Sequence, residues 1–196
     1  MQWRINNYFY GTMEKTDVFE LIERMSSLIR SEERRKCTEL GLQPGHLQIM
    51  DYLSRCNRYS DTPAAIANYL GMTRGTISQT LILLGKKGYM QKTADVNDLR
   101  VVHLSLLSEG RVILEKARPT DLYSKASAVF HEDNSGDNVF VNALTALQKA
   151  NKSQSFGLCQ TCRHFTETSE GFLCNLTKEQ LSQIDSEKIC QEHTLS

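Results

Sequence analysis

The chain has 196 residues, with 23 lysines and arginines against 23 aspartates and glutamates, so its formal net charge is zero. That balance gives no global attraction to a polyanion or an anionic membrane, and a hydrophobic fraction of 40% with three prolines suits one compact domain plus a small appendage. No apolar run is long enough to cross a bilayer, and Met1-Gln2-Trp3-Arg4-Ile5-Asn6-Asn7-Tyr8 lacks the apolar segment of a secretory leader, so a soluble, cytoplasmic protein without a membrane partner is expected.

Residues 14–37 carry Val18, Leu21, Ile22, Met25, Leu28 and Ile29 at helical spacing, and the charged run 31–36 solvates the helix end. Pro44 opens a second helix with Leu47, Met50 and Leu53 on one face, closed by a polar break over 55–61. Thr62 suits a helix N-cap and Pro63 its first turn, where the missing N–H costs nothing. Ala64, Ile66, Ala67 and Leu70 supply a small apolar face, and Gly71 suits a left-handed end. Thr73 caps the next helix, which runs to Lys87 with Ile77, Leu81 and Leu84 on one side and stops at Gly88. Two short helices joined by a tight glycine-containing turn predict a helix-turn-helix.

The period then changes from helical to alternating. Residues 89–94 and 101–106 read as strands around a polar turn at 95–100, which places a hairpin, or wing, directly after the helix-turn-helix. Ser108 is expected to cap a following helix through Val112, Ile113 and Ala117, interrupted at Pro119. Further helical stretches hold Leu122, Ala126, Val129 and Phe130, then Phe140, Leu144 and Leu147 after a loop at 134–137 and an Asp137 cap. Residues 151–157 read as a linker, and no internal repeat is evident. The fold class expected is mainly α with a small β-hairpin wing (α+β), over two units: residues 1–150, winged helix-turn-helix with dimerisation helices, and residues 151–196, a cysteine-rich tail.

This order of elements resembles the MarR family of winged helix-turn-helix transcription regulators over about residues 14–150. The matching positions run Ala67-x2-Leu70-Gly71-x-Thr73-x3-Ile77, then Leu84-x-Lys86-Lys87-Gly88-Tyr89, then Asp98-x-Arg100-x3-Leu104-x-Leu106-x3-Gly110. The wing portion is the more specific. Leu107 stands where the family usually has threonine, and Gly85 replaces a commoner charged helix former, which weakens the helix end. The resemblance implies a sequence-specific DNA-binding transcriptional regulator acting as a homodimer, with the wing-tip Arg100 in the minor groove and Asp98 orienting it. A two-fold dimer reads a pseudo-palindrome.

The residues themselves fit that chemistry. A helix fills the major groove, where base edges present distinct donor and acceptor patterns. Beside its buried stripe, residues 73–87 present Thr73, Arg74, Gly75, Thr76, Ser78, Gln79 and Lys86. Gln79 suits bidentate contact to adenine, Arg74 a guanine or a phosphate, and the N–H groups near Thr73 a phosphate. Arg100 suits a narrow A·T-rich minor groove, whose negative potential is concentrated. Residues 72–118 hold eight basic residues against four acidic ones, a mild local excess. Taken singly, Arg74, Gln79 and Lys86 are more often solvated helix residues, and Asp98 and Arg100 more often a polar hairpin tip; their setting in one motif favours the DNA reading. His46 and His103 read as packing or surface residues.

Four of the six cysteines fall at Cys159-x2-Cys162-x11-Cys174-x15-Cys190. In a reducing compartment such a cluster points to metal rather than disulfides, because a close pair can grip one ion from a tight knuckle while two later thiolates complete a tetrahedron. Zinc is the first expectation and an iron–sulfur cluster the alternative, since four thiolates suit either. His164 and His193 stand close enough in sequence to substitute as ligands. Phe165, Phe172, Leu173, Leu176, Leu181 and Ile189 make only a tiny core, so the tail is expected to need the metal as a staple and to unfold first without it, leaving the winged core intact. The partners expected are double-stranded DNA and a second copy of the chain, with room for a small-molecule or redox effector. Two other readings compete: a winged-helix protein-interaction module scaffolded by a metal-binding tail, and a redox enzyme using the cysteines. The second lacks any catalytic triad, phosphate loop or dinucleotide motif.

Overall fold

The computed structural model describes residues 18–127, 144, 156–169 and 171–194. Helix α1 (Val18–Glu39) is followed by α2 (Pro44–Arg55), α3 (Pro63–Leu70) and α4 (Arg74–Lys86). Strands β1 (Met90–Ala94) and β2 (Val102–Leu106) form an antiparallel hairpin, and α5 (Ser108–Ala117) and α6 (Thr120–Ser127) complete the winged part. The expected helix start at 14–17, the loop at 134–137 and most of the last amphipathic helix lie outside the described residues; Leu144 is helical and exposed.

Local chemistry accounts for the boundaries. Thr62 Oγ1 accepts the Ala65 N–H (3.3 Å) and Thr73 Oγ1 the Thr76 N–H (3.2 Å), so both helices of the helix-turn-helix start on the predicted caps. Gly71 ends α3 at φ 65°, in the left-handed region that favours glycine. One cap differs from expectation. Leu107, not Ser108, is the N-cap of α5, because its N–H donates to the Tyr89 carbonyl (3.0 Å) and so fixes the helix boundary one residue earlier; the Ser108 hydroxyl turns to Glu109.

The core gathers α2, α3, α4, α5 and the wing. Ile49, Met50, Tyr52, Ile66, Ile77, Leu81, Leu84 and Leu114 are fully buried, and Met90, Leu104 and Leu106 carry the hairpin's inner face into the same cluster. Burying one such side chain contributes about 1.5–3 kcal/mol, which outweighs the weak helix propensity of the glycine-containing α4. On α1, in contrast, Met25 and Leu28 remain exposed.

Residues 156–194 form a compact β-rich module whose strands the hydrophobic periodicity does not predict. β3 (Gly157–Leu158) pairs with β7 (Ile189–Cys190), while β4 (Phe165–Thr168), β5 (Gly171–Cys174) and β6 (Glu179–Leu181) make an antiparallel meander, with α7 (Gln183–Ser186) after it. Phe165 and Phe172 stack at 5.1 Å. The module is not a separate appendage. Ile189 belongs to the winged part's core cluster, and Phe156 meets Tyr52 and Tyr69 edge-on at 6.5 and 5.2 Å. Among the described residues no helix is long and apolar enough to cross a membrane.

Gly110 shows how tightly the wing base is fitted: a β-carbon there would run into the Tyr89 carbonyl oxygen, the same atom that accepts the Leu107 N–H. Gly110→Ala should therefore destabilise the fold by about 1–3 kcal/mol, read as a lowered urea midpoint with the slope preserved. An unchanged midpoint would contradict this packing.

Candidate nucleic-acid interface and cysteine cluster

Helix α4 divides cleanly by burial. Ile77, Leu81 and Leu84 are buried against the core, while Thr73, Arg74, Gly75, Thr76, Ser78, Gln79 and Lys86 are all exposed. Thr73 and Thr76 hydroxyls contact each other at 2.9 Å and the Thr80 hydroxyl donates to the Thr76 carbonyl, so these side chains are partly engaged by the helix itself. Gln79 and Lys86 line a shallow depression with His46, Thr80, Ile82 and Leu83, and Ile82 and Leu83 are themselves exposed.

The wing tip is built by two aspartates. Asp95 Oδ1 accepts the Asn97 and Asp98 N–H groups at 2.7 and 2.8 Å, which folds the turn. Asp98 Oδ1 accepts the Arg100 N–H (3.0 Å) and Nε (2.9 Å), and Oδ2 accepts Nη2 (2.8 Å), a forked grip on the guanidinium. Bonding to Arg100 holds the Asp98 carboxyl below the usual carboxylate range. Arg100 nevertheless stands 90% exposed, aimed rather than buried. Arg74 and Arg100 line one cleft of about 410 Å³ together with Thr62, Pro63 and Ala64 at the start of α3. Helix α4, the wing and the start of α3 thus converge on one notch lined by two arginines.

The histidine at the wing base has a role that strand alternation alone did not reveal. His103 is not a simple packing residue: its Nδ1 lies 2.5 Å from Asp61 Oδ1 and its Nε2 3.1 Å from Asp95 Oδ2, so the ring bridges two carboxylates and donates to both when doubly protonated. Hydrogen bonding to Asp61, then to Asp95, raises its pKa. His46 instead accepts the Gln43 N–H on Nδ1 at the start of α2, and burial lowers its pKa. The pairing left no signal in the sequence, because Asp61 and Asp95 lie 42 and 8 residues before His103 and only the fold brings both to its ring.

All six cysteines are free thiols. Cys37 and Cys56 are core residues, with burial pushing the Cys56 thiol up to about 12. The other four gather at one end of the module. Cys159 opens a tight turn, with its N–H donating to the Lys188 carbonyl (3.0 Å), and the Cys162 N–H closes that turn on the Cys159 carbonyl (3.0 Å). Cys174 ends β5 and Cys190 ends β7. Burial, then the neighbouring Cys190, Cys174 and Cys162, pushes Cys159 up to about 12, so the four sulfurs lie within electrostatic reach of each other. A donor faces one of them: Cys162 Sγ accepts the Thr194 N–H (3.4 Å). Among the described residues, however, no three His, Cys, Asp or Glu side chains stand as a ready-made metal-holding group, so an ion would have to draw the thiols inward. His193 is engaged by Thr161 (3.0 Å), which leaves the cysteines as the natural donor set.

No protein-family model matches the sequence, and no curated protein matches it. Solved structures do. A MepR mutant from a multidrug-resistant S. aureus clinical isolate aligns with a TM-score of 0.56 at 18% identity, covering 69% of this chain and 99% of that one. The transcriptional regulator PA3341 aligns with a TM-score of 0.56 at 21% identity over 68% and 97% of the two chains. The S. aureus MepR–DNA complex aligns with a TM-score of 0.53 at 17% identity over 69% and 99%. The likeness is one of fold, and it assigns the winged-helix architecture to this chain.

The wing-base histidine makes stability depend on pH in a defined direction. Because its folded pKa is raised, the ring's contribution is complete below the unfolded histidine value of about 6.5 and is lost as pH rises through the folded value. Denaturation midpoints should fall across that window in the native chain, and the fall should flatten in His103→Gln. An equal pH slope in both proteins would contradict the assignment.

Proposed function

We propose that the chain is a MarR-type transcription regulator that binds double-stranded DNA sequence-specifically as a homodimer and carries a thiolate metal centre in its C-terminal module. The observation that carries the DNA reading is the shared notch of Arg74 and Arg100 beside the exposed face of α4. A phosphate in that notch meets the Arg74 guanidinium and the N-terminal end of α3, while Thr76, Ser78 and Gln79 reach base edges and Arg100 enters the minor groove. The winged fold, shared with a regulator whose structure contains DNA, supports the same reading. It is non-enzymatic.

Dimerisation is supported by the exposed Met25 and Leu28 on α1 and by exposed Leu144, an apolar surface that a second copy would cover. A small-molecule effector would fit the cleft of about 450 Å³ between α1, α2 and the α5–α6 junction, where Glu33, Asp51, Arg55, Arg118 and Tyr123 meet. For the cysteines, zinc is favoured over an iron–sulfur cluster: the N–H donor facing Cys162 suits a thiolate ligand, and a closed four-thiolate site is what zinc takes in structural centres. A protein-interaction module is the competing reading, favoured by the very exposed Val96 and Leu99 at the wing tip.

Arg100→Ala should weaken duplex binding and make the log–log salt slope shallower by about one, whereas Gln79→Ala should relax base preference with little change in slope. Titration by fluorescence anisotropy across a salt series separates the two. Binding unaltered by both substitutions would favour the protein-interaction module. Sedimentation should give a dimer at micromolar concentration, and a folded monomer there would refute the paired arrangement.

A further inference from the structure

We propose, on the DNA-binding reading above, that His103 is a positioning residue of the wing whose protonation sets the affinity of the chain for double-stranded DNA. His103 belongs to β2, yet its two ring nitrogens face carboxylates from two other segments. Nδ1 lies 2.5 Å from Asp61 Oδ1, in the connector that leads into α3, and Nε2 lies 3.1 Å from Asp95 Oδ2, in the wing turn. An ionised carboxylate only accepts hydrogen bonds, and a neutral imidazole carries a single N–H. The imidazolium alone can donate to both. On losing its proton the ring must turn a lone pair toward one carboxylate, and that contact is lost.

Both carboxylates belong to segments that shape the arginine-lined notch. Asp95 uses its other oxygen, Oδ1, to accept the Asn97 and Asp98 N–H groups, and its own N–H donates to the Val101 carbonyl (3.0 Å). The ring therefore anchors the turn in which Asp98 grips Arg100. Asp61 precedes Thr62, the N-cap of α3, and its carbonyl accepts the Leu104 N–H (2.8 Å). Thr62 and Pro63 line the notch from the α3 side, Arg100 and Val102 from the wing, and Arg74 from α4. The imidazolium clamps the wing side of the notch to the α3 side.

The charges around the ring fix the direction of the effect. Strand alternation sends Leu104 and Leu106 into the core, where α2 and α5 pack, and leaves His103 on the other face, opposite Thr93. Lys92 of β1 pairs with Leu104 and shares its face, and α3 carries no charged side chain. On the inner side, Asp51 of α2 is taken up by Arg55 and Arg118, and Glu115 of α5 by Arg118. The ring is left with Asp61 and Asp95, whose hydrogen bonds raise its pKa. Burial raises the Asp61 carboxyl, while the Asp98 and Asn97 N–H groups hold that of Asp95 low. The clamp is therefore complete near the ordinary histidine value of about 6.5 and opens as pH rises through the raised one. If the clamped notch is the form that takes DNA, binding draws in a proton, and proton and duplex strengthen each other reciprocally.

The test measures the affinity of the full-length chain for a duplex enriched from a randomised pool at about pH 6.5, the unperturbed histidine value. Raising the pH by about two units should weaken binding by about tenfold or more, at temperatures where circular dichroism shows the protein folded throughout. His103→Gln should bind at the weaker level across the whole range, with the pH dependence flattened. Asp61→Asn still offers the ring an acceptor but removes a charge, so it should keep the tight binding and shift the fall to lower pH. That shift decides the question even where the glutamine variant does not fold. An equal pH slope in the native chain and in folded His103→Gln would overturn the coupling and leave the DNA reading standing. A profile unmoved by Asp61→Asn would overturn the bridge as its cause. Failure to enrich any duplex would overturn the DNA reading and this proposal together.

Discussion

Residues 56–61 are the constraint on which the two halves of this molecule depend. The chain must leave α2 and enter α3 here without regular structure, so its buried polar groups need partners from elsewhere. The cysteine module supplies them on one side: Ile189 bridges to Cys56 and accepts from Asn57, and Gln191 serves Ser60 and Tyr59. The wing supplies them on the other, through Leu104 and His103. At the rim, Arg58 and Tyr59 both reach Glu179. Leaving one such buried group unsatisfied costs about 1–3 kcal/mol, so neither half can shift freely without disturbing the connector.

That arrangement changes how the C-terminal module is understood. A small metal-stapled tail on a linker would fold and unfold by itself, and a winged core would be indifferent to it. Instead Ile189 lies in the winged core, and Phe156 packs against Tyr52 and Tyr69 beneath the connector. The module therefore packs on residues of α2 and α3, through Tyr52, Cys56 and Tyr69. The wing tip is organised by polar contacts instead: Asp98 grips Arg100, and Asp95 shapes the turn. Charge and position come from different residues of the same wing, the charge from Arg100 and its aim from two carboxylates.

Much of the winged part was legible in the sequence because its signals are local. Thr62, Pro63, Gly71 and Thr73 each act within one helical turn, and Ile77, Leu81 and Leu84 recur at a helical period that the core then buries. The Asp98–Arg100 pair is likewise two residues apart. What escaped depends on contacts distant in sequence. His103 meets Asp61 across 42 residues, and Gln191 meets Ser60 across 131, so neither pairing leaves a periodic trace. The polar run 55–61 looked like a plain break for the same reason. In the module the strands are only two to four residues long, too short for alternation to declare itself, while the cysteine spacing was plain but could not say how closely the thiols approach. Gly110 was visible as a motif position, and only the Tyr89 carbonyl beside it explains why no side chain fits there.

The claim that the connector joins the two halves is tested most directly by amide hydrogen exchange on the full-length protein and on its Gln191→Ala variant, which removes the side-chain bond to the Tyr59 carbonyl. The substitution should lower protection in the cysteine module and also at Asn57, Ser60 and Leu104, whose N–H groups donate to Ile189, Asn57 and Asp61. Loss of protection confined to residues 157–192, with Ser60 and Leu104 unchanged, would contradict the account.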